Sequence, residues 1–226
     1  MGSMYETLRQ LPLFAGVSQQ KLSEIVGHNK FHFLKYASGD MIVEQGAECT
    51  HIRSVIAGSV RMSIESHDNK FKASQTLNAP DLIAPDFFFG RTTRYPGSVT
   101  AIDNVGILQI NKPDFLNIIN SDPIFLFNYL NILSMNAQLN VDGVMALASG
   151  SLEKRIAYWI VALTQNNGTD IVLQCRQRDM YAVFGVQRQS LISALDAMKA
   201  DGIIDYTNQE IHVADRRRLV EILTGI

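Results

Sequence analysis

Arg188 and Gln189 stand side by side in a stretch with no Gly or Pro before Gly202, and Ser193 follows Gln189 by one helical turn. An arginine fork can donate two hydrogen bonds to the O6/N7 edge of guanine, and a glutamine amide can pair with the N6/N7 edge of adenine. Each such bidentate pair discriminates against the wrong base by about 1–3 kcal/mol. On a helix, the three side chains project from its N-terminal half, the part of a recognition helix that enters a major groove.

The surrounding residues supply what such a helix needs. Asp179 to Phe184 reads as a short helix, Gly185 as a turn, and Gln187 to Ala200 as a second helix closed by Asp201-Gly202. Met180, Val183 and Phe184 are expected to face inward from the first helix, and Leu191, Leu195 and Met198 from the second. Gly185 permits backbone angles that other residues resist. Ile203 to Tyr206 and Gln209 to Val213 form a hairpin around Thr207-Asn208. Helix, glycine turn, helix and hairpin make a winged helix-turn-helix plan. Upstream, Ser151 is placed to cap a helix with Glu153 in its first turn and Ile156, Trp159, Ile160 and Leu163 on its inner face. Asn166-Asn167-Gly168 ends that helix, and Ile171 to Gln174 is a short strand.

The first half of the chain has a different texture. Residues 5–27 read as short helices, with Ser18 as N-cap for Gln19 to Val26. From Phe31 to about Lys112, short apolar runs alternate with turns such as Ser38-Gly39-Asp40, Ala57-Gly58 and Asp103-Asn104. Strand-like alternation runs through Ile52 to Ile56, Val60 to Ile64 and Val105 to Ile110, which points to a jelly-roll barrel or sandwich. Asp122-Pro123 then opens a long helix. Leu126, Leu130, Leu133, Ala137, Val141, Val144 and Ala148 recur along it at three- and four-residue steps. That seam is expected to pair with a second copy, the alternative being a helix packed on its own domain. The expected fold class is α+β: a cupin-like, jelly-roll β-barrel sensor domain over residues 5–120, a dimerisation helix over 121–150 and a winged helix-turn-helix over 151–226.

Composition narrows the function classes. With 46% apolar and 19% charged residues, the chain belongs with globular proteins rather than disordered or fibrous ones. The formal charge of −2, and nine Lys and Arg against nine Asp and Glu after Gly150, mean that any polyanion-binding face is a local cluster. Cys49 and Cys175 form no CxxC pattern, so a disulfide framework or a cysteine metal site is not expected. Met1-Gly2-Ser3 reads as a cloning leader before a native Met4; with no signal sequence or membrane-spanning run, a cytoplasmic location without membrane contact is expected. None of the five histidines forms the His-x-His pair of a cupin metal site. His28 and His32 lack further ligands, so no enzyme activity, cofactor or metal is expected.

At the level of whole motifs, Arg178-Asp179-Met180-Tyr181-Ala182-Val183-Phe184-Gly185-Val186-Gln187-Arg188-Gln189-Ser190-Leu191 resembles the helix-turn-helix of the cyclic-AMP-receptor/fumarate-nitrate-regulator (Crp/Fnr) family. Ser151 to Ala157 resembles the opening of that family's DNA-binding domain, and Leu11 to Ser18 its N-terminal start. Ser38-Gly39-Asp40, Glu44-Gln45-Gly46 and Ile56-Ala57-Gly58-Ser59-Val60 match the turns of its sensor barrel. The resemblance implies a homodimeric transcriptional regulator on a palindromic operator in double-stranded DNA, with RNA polymerase as a further candidate partner. It gives Arg188 the base-reading role, with Gln187, Gln189, Ser190 and Ser193 beside it, and makes Arg176, Arg178 and Lys199 candidates for phosphate contacts. Gln189 replaces a frequent acidic residue, Ser193 a frequent arginine and Tyr181 a small residue, so a ligand-binding module that has lost DNA binding stays open as an alternative.

The resemblance also implies where an effector would lie. Members that bind a cyclic nucleotide use a glycine turn, a glutamate for the ribose and an arginine for the phosphate; Ala84, Pro85 and Tyr95 stand at those positions here. Proline removes an N–H donor as well. In place of a cyclic nucleotide, either a small, largely apolar effector or a pocket filled by the chain's own side chains is therefore expected, with Phe87, Phe88, Phe89, Arg94 and Tyr95 as the candidate lining. The cysteine cluster of iron–sulfur members is absent.

Overall fold

The computed structural model describes residues 4–225, so Met1–Ser3, read above as a leader, lie outside the described residues. In chain order, α1 (Met4–Gln10) and α2 (Gln19–His28) precede eight strands: β1 (His32–Tyr36), β2 (Met41–Val43), β3 (His51–Ala57), β4 (Ser59–Glu65), β5 (Phe71–Asn78), β6 (Asp81–Ile83), β7 (Ser98–Ala101) and β8 (Val105–Asn111). Helices α3 (Lys112–Ser121), α4 (Pro123–Ser149) and α5 (Leu152–Ala162) follow. Then come β9 (Thr169–Cys175), α6 (Gln177–Phe184), α7 (Arg188–Ala200), β10 (Ile204–Tyr206), β11 (Glu210–Val213) and α8 (Arg216–Thr224). The chain divides into two compact units, one made of the residues up to Arg61 with Leu77–Asn136, the other of Met62–Thr76 with the residues from Ala137 onward. No helix among the described residues is long and apolar enough to cross a membrane.

The first unit is the jelly-roll-like part. Its four-stranded antiparallel sheet has the order β1-β8-β3-β6, and β2 pairs antiparallel with β7 outside that sheet. The alternation read in β3 and β8 puts Ile52, Val55, Ile107, Leu108 and Ile110 into the core. Local capping sets the helix starts. Ser18 Oγ accepts from the Lys21 N–H, Asn111 Oδ1 from the Asp114 N–H, and Asp122 Oδ1 from the Ile124 N–H. Each cap satisfies a donor that the first turn would otherwise leave open, a contribution of about 1 kcal/mol.

The second unit is a winged helix with an added hairpin. Its strands run β10-β11-β9-β5-β4, all antiparallel where registered. The β5–β9 register pairs Phe71 with Cys175, Lys72 with Gln174, Ala73 with Leu173, Ser74 with Val172 and Thr76 with Thr169. Ala73 is thereby buried in the same core as Ile160, Leu173, Leu191 and Leu195. The rings of Phe71 and Trp159 meet edge to face at 5.4 Å. Tyr158 of α5 lies against Gly143 of α4, where an added Cβ would come within 1.8 Å of the ring.

Two expectations for side-chain placement need correction. Val183 is 50% exposed, while Met180 and Phe184 are buried. The narrow α6–α7 contact is filled by the i, i+4 pair, and Val183 turns past its edge. The run Arg216-Arg217-Arg218 reads by its charge as a solvated face of the last helix, yet Arg216 is only 7% exposed. Its guanidinium donates to the carbonyls of Val161 and Thr164, to Thr164 Oγ1 and to Asn166 Oδ1. It thus satisfies carbonyls left open where α5 ends. Burial lowers its pKa to about 10.

Candidate nucleic-acid interface

The helix pair at the centre of the second unit is held from three sides. Leu191, Leu195 and Met198 bury one face of α7, and Met180 and Phe184 bury one face of α6. Between them Gly185 has φ +64, and no atom lies within 4 Å of where its Cβ would be, so the backbone angle rather than space demands glycine. Arg155 of α5, which sequence reasoning passed over, donates to the Phe184 carbonyl at 2.5 Å and lies 5.7 Å from the Phe184 ring. The last turn of α6 is therefore anchored just before the tight turn, and the entry angle of α7 is set by the unit's own core.

The opposite face of α7 looks outward. Gln187, Arg188, Gln189, Ser190 and Ser193 are all exposed, and their side chains have no hydrogen-bond partner among the described residues. Bare donors and acceptors on a rigid helix can meet nucleobase edges without breaking an internal bond first. The proposed phosphate contacts differ in freedom. Arg176, at the N-cap of α6, is exposed and makes no cap bond. Arg178 is exposed with its Nε 3.7 Å from Asp179. Lys199 is committed to Asp205 of β10 at 2.6 Å and lies 5.8 Å from the Tyr206 ring centroid.

The α4 seam is also uncovered. Leu126, Leu130, Ala137, Val141, Val144 and Ala148 are exposed, and Leu133 is half-buried. Phe127, Met135 and Met145 are also exposed, Phe127 at 64%. Phe127 shares the seam's spacing with Leu130, but in the sequence it is one of several adjacent apolar residues, and only burial separates it from Phe125.

The candidate effector segment is arranged differently. Ala84 adopts φ +46, a left-handed angle suited to glycine, and Pro85 follows as the first residue of a short 3-10 turn. Phe88 is fully buried, 4.8 Å from the Phe89 ring and 5.3 Å from Phe115. Tyr129 closes this aromatic cluster 5.1 Å from Phe115 and donates to the Pro85 carbonyl. Phe87 is exposed, as is Arg94, which donates to the Gly46 carbonyl. Tyr95 is 2% exposed; its hydroxyl donates to the His51 carbonyl and accepts from Arg53. Burial pushes the Tyr95 and Tyr129 phenols well above their ordinary range. Phe88 and Phe89 are thus brought together, Tyr95 joins Arg53, and Phe87 and Arg94 face solvent. Arg53 was not legible as a site residue, because β3 alternation marks only its position on a strand.

Residues 33–122 match the cyclic nucleotide-binding domain, and residues 154–222 match the Crp-like helix-turn-helix domain. A cyclic AMP receptor protein of Thermus thermophilus is 22% identical over 95% of this chain and 98% of its own length. The crystal structure of the Thermus thermophilus catabolite activator protein shares the fold, with a TM-score of 0.50 and 21% identity over 95% of this chain and 99% of that one. The sensor domain of the transcriptional regulator DNR from Pseudomonas aeruginosa has a TM-score of 0.52 at 17% identity, over 61% of this chain and 90% of its own. With both domains matched in order along the sequence, this chain belongs to the Crp/Fnr family of DNA-binding transcriptional regulators.

Proposed function

We propose that the protein acts as a homodimer that reads a palindromic operator through α7, under an effector other than a cyclic nucleotide. The observation that carries this reading is the outward α7 face, where Arg188, Gln189 and Ser193 are exposed on a buried scaffold and have no partner among the described residues. Two such faces bind half-sites about one helical turn apart, with Arg188 and Gln189 as base readers and Arg176 and Arg178 on phosphates. The uncovered α4 seam is the pairing surface, since an apolar stripe of this length is ordinarily covered. In functional terms the chain divides into a sensor over 5–120, a dimerisation segment over 121–150 and a DNA-binding segment over 151–226. Ala84, Pro85 and Tyr95 replace the groups that would hold a cyclic nucleotide, and the Phe88–Phe89 region favours an apolar effector.

Fluorescence anisotropy tests the reading. A duplex enriched by the protein from a random pool is compared with a scrambled duplex at two salt concentrations. Tighter binding of the enriched duplex, a steep fall with salt and a dimer in sedimentation are expected. Equal affinity for both duplexes at every salt would reject sequence-specific control. Titration with cyclic AMP is expected to leave the affinity unchanged.

A further inference from the structure

We propose that the β4–β5 hairpin is a second DNA-contacting element, with Lys72 gripping backbone phosphates beside Arg176 at the start of the helix-turn-helix; this rests on the DNA-binding reading above. The hairpin is firmly built into the second unit. Five registered pairs join β5 to β9. Gln75 Oε1 accepts from the Gln165 N–H at 2.8 Å, and Thr169 Oγ1 donates to the Thr76 carbonyl at 3.2 Å. Ala73 is part of the core, and Phe71 packs on Trp159. The side chains at the hairpin tip are therefore carried on a fixed edge rather than a loose loop.

That edge runs toward the start of α6. Lys72 lies opposite Gln174, and Lys70, Lys72 and Arg176 together line an open polar groove of about 400 Å³. The Lys70 ammonium feels the charges of Asp179 and Arg178 in the first turn of α6, after that of its partner Asp68. Of the carboxylates nearby, Asp68 holds Lys70 at 2.8 Å, Glu210 accepts from Gln174 at 3.0 Å and lies 3.1 Å from His212, and Glu65 also lines the groove. Lys72 and Arg176 have no carboxylate partner among the described residues.

In a helix-turn-helix the first helix crosses the phosphate backbone while the second enters the groove. Cations flanking the start of α6 are therefore placed along a strand of phosphates. Each phosphate they neutralise releases condensed counterions, which gives affinity without sequence preference. Lys72 and Arg176 form the unpaired part of this ridge, and Lys70, held by Asp68, ends it.

The test is anisotropy between 50 and 300 mM KCl with the enriched and scrambled duplexes. Lys72→Gln is expected to lower the slope of log K against log[KCl] by about 1 per protomer, weakening both duplexes by the same factor. Lys72→Arg retains the wild-type slope, and Lys35→Gln, a change of equal charge in the first unit, leaves it unchanged. Equal melting temperatures show that the variants are folded. A wild-type slope in Lys72→Gln overturns the proposal, as does a loss confined to the enriched duplex. If Lys72→Gln keeps its slope while Arg188→Ala loses discrimination, the hairpin role falls and the regulator reading stands; if the wild-type protein binds neither duplex, both fall.

Discussion

The segment from Ala84 to Tyr95 and the N-terminal half of α7 both carry groups able to hold a ligand, yet they treat them in opposite ways. In the first, polar and aromatic groups are largely matched to the chain itself: Tyr95 to Arg53 and His51, Tyr129 to the Pro85 carbonyl, Arg94 to the Gly46 carbonyl. At the start of α7 the polar side chains from Gln187 to Ser190, and Ser193, are unmatched among the described residues, on a buried scaffold. The contrast gives a rule. Inward-matched polar groups should affect stability when removed, whereas outward-unmatched groups should affect binding.

The sharpest way to break that rule is Arg188→Ala. We expect a loss of about 1–3 kcal/mol of discrimination per half-site, read by anisotropy on enriched against scrambled duplex, with no change in melting. An equal loss on both duplexes would assign Arg188 to phosphate instead. Arg216→Ala should do the reverse. It strips the donors from the Val161 and Thr164 carbonyls, so urea unfolding should show a loss of about 3 kcal/mol, while the folded fraction still binds DNA.

Tyr95→Phe removes the acceptor from a half-buried guanidinium and should cost about 1–2 kcal/mol. Because burial raises the Tyr95 pKa in the folded state, the phenol's contribution is complete below its ordinary value of 10.0 and is lost as pH rises beyond it. The urea midpoint of Tyr95→Phe should therefore fall less between pH 8 and pH 11 than that of the wild type. An equal fall would separate the phenol from alkaline instability. The smallest effect is expected from Lys199→Ala, since that ammonium already serves Asp205; DNA affinity should change by less than about two-fold. A larger loss would show that the ion pair opens on DNA.

What the sequence disclosed was local. Ser18, Asp122-Pro123 and Ser151 announce helix starts because caps act within one turn, and each is seen to do so. The helix–glycine–helix–hairpin order was equally readable, because Gly185 and the apolar spacing of α7 are short-range signals. Long-range pairing was not. Nothing in periodicity joins Ser74 to Val172, 98 residues later, so the hairpin's membership in the second unit stayed hidden. Charge runs misled for a related reason: Arg216 looks like Arg217 and Arg218 until Thr164 and Asn166 are brought to it. In the candidate interface the exposed α7 residues were legible from helix geometry, whereas the Lys199–Asp205 pair needed the β10 strand in place.

The pairing of β5 with β9 bears on how modular this regulator is. A cut at Gly150, the natural seam for building a chimera, would leave β9 as an open strand edge and Trp159 without Phe71. The C-terminal segment is therefore no portable cassette: a transplant that keeps its specificity must carry residues 62–76 along with it.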